Sequence, residues 1–417
     1  NINDFLLKAK KLTKITISPK NKLYSTINKG KIVLGKTDLN NDYFDVILYS
    51  VLNINNVIIP SYIKKINSGA FKECTIRDFK FEENSQLEII DKKAFKNSSI
   101  RDIIIPDSVT IIDDCAFSKC RYLSYIKISE NSKLNFIGEE AFYYTDFNKI
   151  FIPKYVKEIG RAAFMKSSLE IIRFAKDSLL NKIGWSCFNS SNIYSIDIPK
   201  HVKEIEKCTF CSCKHFDEID FEEDSELQII HEDAFNDTRI SKLKLPSNLI
   251  ELENGWQHDI KRLDKIKISP KNDNFAIIDK KLFVEKSNPN NKQFDVLSFV
   301  LRDADKVIIP SYIKTIKTEC FSYCERLKTI EFAENSELEV IEDHAFYYSS
   351  CENNLLIPKS VKIIGNYAFA HWKGDSIEFP EDSLLEQIGN NAFFYSGIKK
   401  FVFPKSIKNV TLSIFDR

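Results

Sequence analysis

The stretch "IRDIIIPDSVTIIDDCAFSKC", residues 100–120, contains the pattern that decides the fold. Its aliphatic run at 103–105 is typical of a β-strand, and Pro106 ends that strand because proline cannot donate a hydrogen bond to a neighbouring strand. The β-branched run at 109–112 predicts a second, shorter strand. The pair Ala116 and Phe117 then predicts a short helical turn that directs the phenyl ring inward.

The same pattern recurs along the chain around a Phe that usually follows an Ala. Spacings between successive anchors alternate between 22–23 and 24–25 residues, so two types of repeat alternate. Proline repeats have Pro eleven residues before the anchor, and serine repeats have Ser ten residues before it. The thirteen anchors are Phe71, Phe95, Phe117, Phe142, Phe164, Phe188, Phe210, Phe235, Phe321, Phe346, Phe369, Phe393 and Phe415.

A single repeat of this kind cannot bury its own apolar face. Stacking of neighbouring repeats buries that face in a continuous core, which is the construction of solenoid proteins. We therefore predict aligned columns, with aliphatic residues eight and five positions before each Phe and the Phe rings themselves in one row.

The pattern I-P-x-x-V-x-x-I-x-x-x-A-F-x-x-C resembles the BspA-like class of leucine-rich repeats. The alternating "ENSxLxxI" repeat is similar to versions found in surface proteins of mucosal bacteria and of protist parasites. The resemblance implies a leucine-rich-repeat solenoid, mainly β with short helical turns, and a right-handed coil. It also implies a cell-surface protein that attaches to host cells or matrix.

The heptapeptide "IIPSYIK" occurs at 58–64 and again at 308–314. The residues before each copy also match, which predicts two tandem arrays, 1–257 and 258–417, in one continuous solenoid. Each array opens with an insert, at about 18–56 and about 269–306. We predict that each insert is a β-hairpin, pairing 31–36 with 43–50 and 281–286 with 293–300, because "DLNND" and "NPNN" are turn sequences.

Composition narrows the class of partner. The chain has 60 basic and 59 acidic side chains, a balance that does not favour nucleic acid or anionic lipid as a partner. No apolar run approaches the roughly 18 residues needed to cross a membrane, so we expect no membrane segment in this chain. The chain begins at Asn1 without an apolar leader, so we expect any signal peptide to have been removed or left out.

Charged residues also alternate from repeat to repeat. Seven positions before each anchor, the second array has Lys, Glu, Lys, Glu and Lys in order. This alternation places opposite charges on neighbouring strands, which favours solubility and correct register, although a partner-binding stripe is an alternative. The residues concerned are Lys314, Glu339, Lys362, Glu386 and Lys408.

The ten cysteines fall mostly on repeat positions, four of them three residues after an anchor. We interpret them as small buried residues and not as a disulfide framework. The densest cluster is His201, Cys208, Cys211, Cys213 and His215, whose spacing leaves a zinc site as an alternative, although Cys208 and Cys213 fill repeat positions and only Cys211 does not. No phosphate loop, H-E-x-x-H or G-x-S-x-G motif occurs, so we expect no enzyme and no cofactor, with a hydrolase or metal protein around 201–215 as the rival hypothesis.

One row of side chains is a candidate partner-binding site. Two residues after the anchor, successive repeats of the second array have an aromatic ring, and a Trp lies beside this row. Aromatic rings with polar tips are preferred in protein recognition, although the rings could simply stack on one another. The candidate residues are Tyr323, Tyr348, His371, Trp372 and Tyr395, with Tyr143, Tyr347 and Phe394 flanking this row or its counterpart in the first array.

Four N-x-S/T sequons are candidate glycosylation sites, at Asn97, Asn189, Asn236 and Asn409. The sequence thus predicts a non-enzymatic binding protein of the cell surface, or a secreted one, that recognises proteins or a host-cell or matrix surface. The alternative is a cytoplasmic scaffold for protein–protein interaction, which unpaired cysteines would favour.

Overall fold

The structure is a computed structural model that describes residue 9 and residues 11–40, 42–222, 224–352, 354–410 and 413–415. It contains two compact units, Asn1–Ile230 and His231–Arg417. Each unit is a parallel β-solenoid in which most repeats contribute one strand of three or four residues and one strand of two residues. Near the end of the second unit, the strands in the longer position, Leu355–Leu356 and Ile377–Glu378, also have only two residues. The predicted fold class is therefore confirmed, while the predicted boundary between arrays at 257/258 stays a prediction.

The first unit begins with an antiparallel module and continues with alternating long and short strands. The module consists of β1 (Ser25–Ile27), a 3-10 turn (Asn28–Gly30), β2 (Ile32–Gly35) and β3 (Val46–Ser50). The strands that follow are β4 (Asn56–Ile59), β5 (Lys65–Ile66), β6 (Asp78–Phe81), β7 (Ile89–Ile90), β8 (Asp102–Ile104), β9 (Ile111–Ile112), β10 (Tyr125–Lys127), β11 (Phe136–Ile137), β12 (Lys149–Ile152), β13 (Glu158–Ile159), β14 (Ile171–Phe174), β15 (Lys182–Ile183), β16 (Ser195–Ile198), β17 (Glu204–Ile205), β18 (Glu218–Phe221) and β19 (Ile229–Ile230).

The second unit has the same plan, with its module after the first two repeats. The strands are β20 (Lys242–Leu245), β21 (Glu251–Leu252), β22 (Lys265–Ile268), the module β23 (Phe275–Ile278), β24 (Leu282–Glu285) and β25 (Val296–Val300), then β26 (Lys306–Ile309), β27 (Thr315–Ile316), β28 (Thr329–Phe332), β29 (Val340–Ile341), β30 (Leu355–Leu356), β31 (Ile363–Ile364), β32 (Ile377–Glu378), β33 (Gln387–Ile388) and β34 (Asn409–Val410).

Equivalent positions of successive repeats pair with each other. The aliphatic residue five before each anchor lies opposite its counterpart, as in Ile90 with Ile112 and Ile112 with Ile137. The long strands pair in parallel in the same way, with Ile103 opposite Ile126. Side chains of the long strands alternate between exposed and buried, which is the period-two pattern of a strand with one face in the core. A one-residue slip would expose every aliphatic residue, so the pattern fixes the register.

The segment around each anchor, from four residues before it to three after it, is called the anchor turn below. It is not the helical turn predicted from the Ala-Phe pair but three consecutive hydrogen-bonded turns. Around Phe117, the N–H groups of Ala116, Ser118 and Cys120 each donate to a carbonyl three residues earlier. The intervening N–H groups, including that of Phe117, donate to carbonyls of the next repeat. Every backbone donor here is satisfied, half within the turn and half between repeats.

This alternation requires residues in the left-handed backbone region. Residues two before and two after the anchor have positive φ, as in Cys115 (56°) and Lys119 (63°). Such angles cost L-residues of order 1–2 kcal/mol each. The cost is tolerated because the hydrogen bonds between repeats hold both positions in place.

The Phe rings form one stacked column in each unit. In the first unit, neighbouring ring centroids from Phe71 to Phe210 lie 5.0–5.6 Å apart with interplanar angles below 10°. In the second, the column from Phe321 to Phe415 has spacings of 4.5–5.6 Å. The rings between Phe71 and Phe210 are fully buried. The predicted columns are therefore present, and they form the centre of each core.

Glycines four residues before the anchor allow close approach of neighbouring repeats. A Cβ added to Gly160 would lie 2.6 Å from the backbone nitrogen of Glu139 and from the carbonyl carbon of Gly138. Gly184 and Gly389 have the same relation to the repeat before them. These glycines therefore serve backbone packing.

Both inserts contain the predicted hairpins, with one strand more than predicted. Strand β2 pairs antiparallel with β3, and β24 pairs with β25. The additional strands β1 and β23 pair with β2 and β24, so each module is a three-stranded antiparallel sheet. Strands β3 and β25 then pair in parallel with the first short strand after the module. Each module thus extends the sheet of short strands.

A buried aspartate closes each hairpin. The carboxylate of Asp295 accepts the backbone N–H of Ser287 (2.8 Å) and its hydroxyl (2.7 Å). Asp45 makes the same two contacts with Thr37, at 2.7 and 2.6 Å. Burial alone would raise the pKa of Asp295, but the Ser287 hydrogen bonds, a backbone hydrogen bond of Asp295 itself and the Lys314 charge together leave the pKa below its usual value.

Several of the predicted charge alternations form ion pairs between neighbouring repeats. Lys362 contacts Glu339 at 3.1 Å, and Lys408 contacts Glu386 at 2.7 Å. The turns before the short strands do the same through Lys359 and Asp382, at 3.3 Å. These pairs are solvent-exposed, so each adds little stability, and their role in register is the stronger interpretation.

None of the ten cysteines forms a disulfide bond. Eight are buried, and Cys115 and Cys208 are half-buried. Burial raises the pKa of Cys120 to about 11 and that of Cys213 to about 12. Each thiol lies 3.0 Å from the carbonyl of the anchor Phe in the preceding repeat, Phe95 for Cys120 and Phe188 for Cys213. They are small core residues, as the repeat positions predict.

Within the described part of the chain, the structure has no helix long and apolar enough to span a bilayer.

Candidate protein-binding surface

The anchor turns of the second unit place the candidate aromatic residues side by side. Tyr323, Tyr348, His371 and Tyr395, called the tyrosine row below, each lie two residues after an anchor and have φ between 48° and 59°. Equivalent backbone positions of successive repeats are adjacent, so the four rings meet along the stack.

The rings of the tyrosine row are stacked face to face. Centroids lie 5.7 Å apart for Tyr323 and Tyr348, 4.1 Å for Tyr348 and His371, and 5.4 Å for His371 and Tyr395, with interplanar angles of 10° or less. Each aromatic pair is worth about 0.5–1.5 kcal/mol, which is of the same order as the backbone cost of its left-handed position. The rings do stack on one another, as the alternative interpretation expected. Stacking covers the ring faces and leaves the ring edges and polar tips for contact with a partner.

A second set of rings contacts this row edge-on. Tyr347 lies perpendicular to Tyr348 (4.7 Å, 87°) and to His371 (5.6 Å, 85°). Phe394 meets Tyr395 in the same way (4.6 Å, 77°). The predicted flanking residues Tyr347 and Phe394 are thus in contact with the row. The third, Tyr143, lies in the first unit, tilted 59° against Tyr144.

Two further residues were missed by the sequence prediction. His344 and Tyr367 lie two residues before their anchors and stack on each other at 5.1 Å and 6°. His344 is edge-on to Tyr347, and Tyr367 is edge-on to Phe394. Their sequence signal was an aromatic residue at the other left-handed position of the same turns. The tyrosine row with His344, Tyr347, Tyr367 and Phe394 is called the aromatic surface below.

Trp372 does not belong to this surface. Its side chain is 1% exposed and packs edge-on against Phe346 and Phe369, at 5.9 and 5.7 Å. The position three after the anchor points into the core, where other repeats have Cys, Ser or Thr. The prediction that Trp372 contacts a partner is not supported, because no partner could reach it from the surface.

Polar contacts fix one end of the row. The Lys261 ammonium lies 4.5 Å from the Tyr323 ring centroid, a cation–π distance. Burial, followed by a hydrogen bond with the Asp259 carboxylate, raises the pKa of Tyr323 well above its usual value. Burial also lowers the pKa of His344 and of His371, so both imidazoles are neutral at pH 7. The aromatic surface therefore offers hydroxyl groups and neutral imidazoles.

A sequence profile supplies the family. The profile described as BspA type leucine rich repeat region (6 copies) matches residues 44–170, 135–264, 181–297 and 292–417. Together these matches run from residue 44 to the end of the chain. The chain belongs to the BspA-type leucine-rich-repeat family. A comparison with characterised protein sequences finds no match.

Several solved structures are similar to this BspA-type chain. The pneumococcal vaccine antigen PcpA is similar over 94% of this chain and 89% of its own, with a TM-score of 0.53 and 18% identity. A leucine-rich repeat protein of Bacteroides ovatus is similar over 93% of this chain and 91% of its own, with a TM-score of 0.49 and 20% identity. A leucine rich cell surface protein of Faecalibacterium prausnitzii is similar over 88% of this chain and 95% of its own, with a TM-score of 0.48 and 17% identity. At 18% identity the likeness to PcpA shows the fold alone.

The candidate glycosylation sites of the BspA-type chain differ in accessibility. Asn97 is exposed, whereas Asn189 and Asn236 are half-buried in anchor turns. Asn409 is exposed on β34, and its partner Thr411 lies outside the described residues. Asn97 is therefore the most accessible acceptor with a described sequon.

The 201–215 cluster is spread over different environments of the BspA-type repeat. His201 pairs with Glu226 at 2.9 Å, and Cys213 is buried against Ser191 and Phe188. His215 lies 5.5 Å from the Tyr194 ring. These three side chains have separate neighbours. They therefore do not converge on one position where they could bind a zinc ion together.

Proposed function

We propose that this BspA-type protein acts in adhesion at a cell surface, where it binds a protein of a host cell or of the extracellular matrix. The observation that carries the proposal is the continuous aromatic surface of the second unit. Its four-ring row occupies left-handed positions, where Gly, Asn or Asp would cost less. Tyr is also among the residues most enriched at the centres of protein interfaces. Family and fold support a repeat-based binding role and are usually non-enzymatic.

A binding measurement with a matched control tests this proposal. We expect the triple variant Tyr323→Ala, Tyr348→Ala, Tyr395→Ala to lose about 100-fold or more in affinity for its surface partner, because each buried interface Tyr contributes about 1–2 kcal/mol. The full chain is first screened against host cells and purified matrix proteins by surface plasmon resonance. The variant is then compared on every partner found.

The first unit offers the control. Lys119, Lys166 and Ser190 occupy the same turn position, with φ of 63°, 56° and 58°. Changing all three to Ala imposes the same backbone change outside the aromatic surface, and we expect affinity within about threefold of the wild type. Equal binding by the Tyr variant and the wild type would refute a role for the tyrosine row.

An intracellular scaffold for protein–protein interaction is the second candidate, favoured by ten cysteines that form no disulfide bond. Glycan mapping by mass spectrometry on protein from its native source separates the two. For a secreted protein of a glycosylating organism we expect N-glycan on Asn97, the most exposed described sequon, and less on the half-buried Asn189. Native protein with all four sequons unmodified would favour the scaffold.

A further inference from the structure

Two grooves lie at the same position of the repeat, one in each unit. The first groove, of about 550 Å³, lies between a serine repeat and the following proline repeat of the first unit. The second groove, of about 420 Å³, lies at the corresponding place in the second unit. Volumes of this size accommodate a few side chains of a ligand. Corresponding lining residues include Ser85 and Ser336, Ile104 and Leu356, and Pro106 and Pro358.

The walls of both grooves are held by the same hydrogen bond. In the first groove the Ser108 hydroxyl donates to the carbonyls of Ser85 (2.8 Å) and Leu87 (2.7 Å). In the second groove the Ser360 hydroxyl donates to the Ser336 carbonyl at 2.8 Å. The serine turn of one repeat is thereby fixed to the proline turn of the next, and the grooves are part of the scaffold.

The first groove exposes apolar surface that the core does not use. Ile104 projects outward from β8 and is 61% exposed, and Tyr125 on the neighbouring strand β10 is 42% exposed. Phe79 and Phe81 line the groove beside them. An exposed aliphatic side chain beside aromatic rings in a concave site is a typical anchor point for a partner side chain.

The charges of the two grooves differ. The first groove is lined by Lys80 and by three carboxylates, Glu82, Asp102 and Asp107, a balance of one positive and three negative charges. Glu82 accepts the backbone N–H of Ser61 at 2.9 Å. Among the described residues, Asp102 and Asp107 have no ion pair and no side-chain hydrogen bond. Two carboxylates are therefore available beside the exposed Ile104.

The carboxylates of the second groove are already paired. Glu331 contacts Lys306 at 2.8 Å, and Asp382 contacts Lys359 at 3.3 Å. Its apolar residue Leu356 is 57% exposed, close to the value for Ile104. The second groove thus lies at the same position of the repeat as the first and has a similarly exposed aliphatic side chain, but both of its carboxylates are in ion pairs. It serves as an internal control for charge.

We propose that the first groove binds a short basic peptide segment of a partner protein. An aliphatic side chain of the peptide covers Ile104, and its Arg or Lys side chains pair with Asp102 and Asp107. An Arg guanidinium placed there also stacks on the Tyr125 ring, which lines the same groove. Apolar and acidic groups within one groove are complementary to a segment that alternates apolar and basic residues. This site is separate from the aromatic surface, so the proposal goes beyond the proposed function.

Fluorescence anisotropy with the full chain tests the proposal. Three labelled octapeptides are used: alternating Arg and Leu, alternating Glu and Leu, and alternating Arg and Ser. We expect the Arg-Leu peptide to bind at least about tenfold more tightly than either of the others, because only it satisfies both the charge and the apolar contact. The double variant Asp102→Asn, Asp107→Asn is expected to weaken Arg-Leu binding about tenfold, and Ile104→Ser about fivefold.

Two controls identify the site. Leu356→Ser, at a matched exposure in the second groove, is expected to change affinity less than about twofold, as is the triple Tyr variant. Circular dichroism confirms that each variant is folded. The proposal is overturned by absence of Arg-Leu binding, by equal binding of the Glu-Leu or Arg-Ser peptide, by unchanged affinity of the Asp102/Asp107 variant, or by loss of binding in the triple Tyr variant. The last result would move the peptide to the aromatic surface without contradicting the proposed function.

Discussion

Replacement of Phe142 by Ala is expected to lower the free energy of unfolding by about 3–5 kcal/mol. The ring is fully buried and stacks on Phe117 and Phe164, with centroids 5.5 and 5.4 Å away. A third ring, Phe147, packs edge-on at 5.5 Å. Removing Phe142 therefore deletes contacts to two neighbouring repeats and leaves a cavity. The hydrogen-bonded anchor turns on either side prevent the cavity from closing.

Urea denaturation followed by circular dichroism measures this loss. Repeat proteins unfold with stability that depends on contacts between neighbours, so we expect a lower midpoint for the transition of the affected unit. Tyr155→Ala is the control, because Tyr155 lies in the same unit and is 50% exposed. We expect it to change the free energy of unfolding by no more than about 0.5 kcal/mol. Similar midpoints for both variants would show that the Phe column does not stabilise the stack.

Replacement of Arg302 by Leu is expected to destabilise the second unit by about 3–5 kcal/mol. Arg302 is 4% exposed, and its guanidinium lies 4.0 Å from the centroid of the Phe299 ring. It donates to the carbonyls of Ile260 (3.1 Å), Val300 (2.9 Å) and Cys320 (3.0 Å). Leu would remove a donor from each of these buried carbonyls. Leu is the relevant substitution because Leu52 occupies the matching position of the first module.

The loss of Arg302 also affects a buried carboxyl group. Burial raises the pKa of Glu319, and the charges of His258 and Arg302 oppose that rise. In Arg302→Leu the Glu319 carboxylate would lose one of these favourable charges, which adds to the destabilisation. Differential scanning calorimetry gives the change in melting temperature. Arg302→Lys is expected to recover part of the loss, since it retains the charge without the planar fork. A melting temperature of Arg302→Leu equal to that of the wild type would contradict the stabilising role of Arg302. Arg326→Leu is the control for loss of an arginine at an exposed position.

Much of the fold could be predicted from spacing. Parallel, in-register stacking makes each residue the neighbour of its equivalent in the next repeat, so the period alone predicted the Phe column, the buried thiols and the charge alternation. It also brought Tyr323, Tyr348, His371 and Tyr395 together. The hairpins were predictable because their turns have recognisable sequences and their strands match between modules.

Contacts between different columns could not be predicted in the same way. The anchor turn was predicted as helical, yet it consists of consecutive turns with left-handed residues. Its left-handed positions hold Cys, Lys, Glu, Ser, His and Tyr as well as an occasional Gly, Asn or Asp, so no consistent glycine or asparagine pattern marked them. Without that backbone, Trp372 could not be placed in the core, nor His344 and Tyr367 on the aromatic surface. The strands β1 and β23 were missed for a related reason, because their pairing partners belong to the insert and not to the repeat.

The sequence by itself determined which residues are neighbours along the stack, because a constant period aligns equivalent positions. Only the tertiary structure decided where the side chains next to each anchor point, as for Trp372, and which buried polar groups meet. Those outcomes depend on backbone angles that hydrogen bonds between repeats impose against local preference. The tyrosine row lies at such left-handed positions. Arg302 instead contacts the carbonyls of Ile260 and Cys320, partners that the period does not predict.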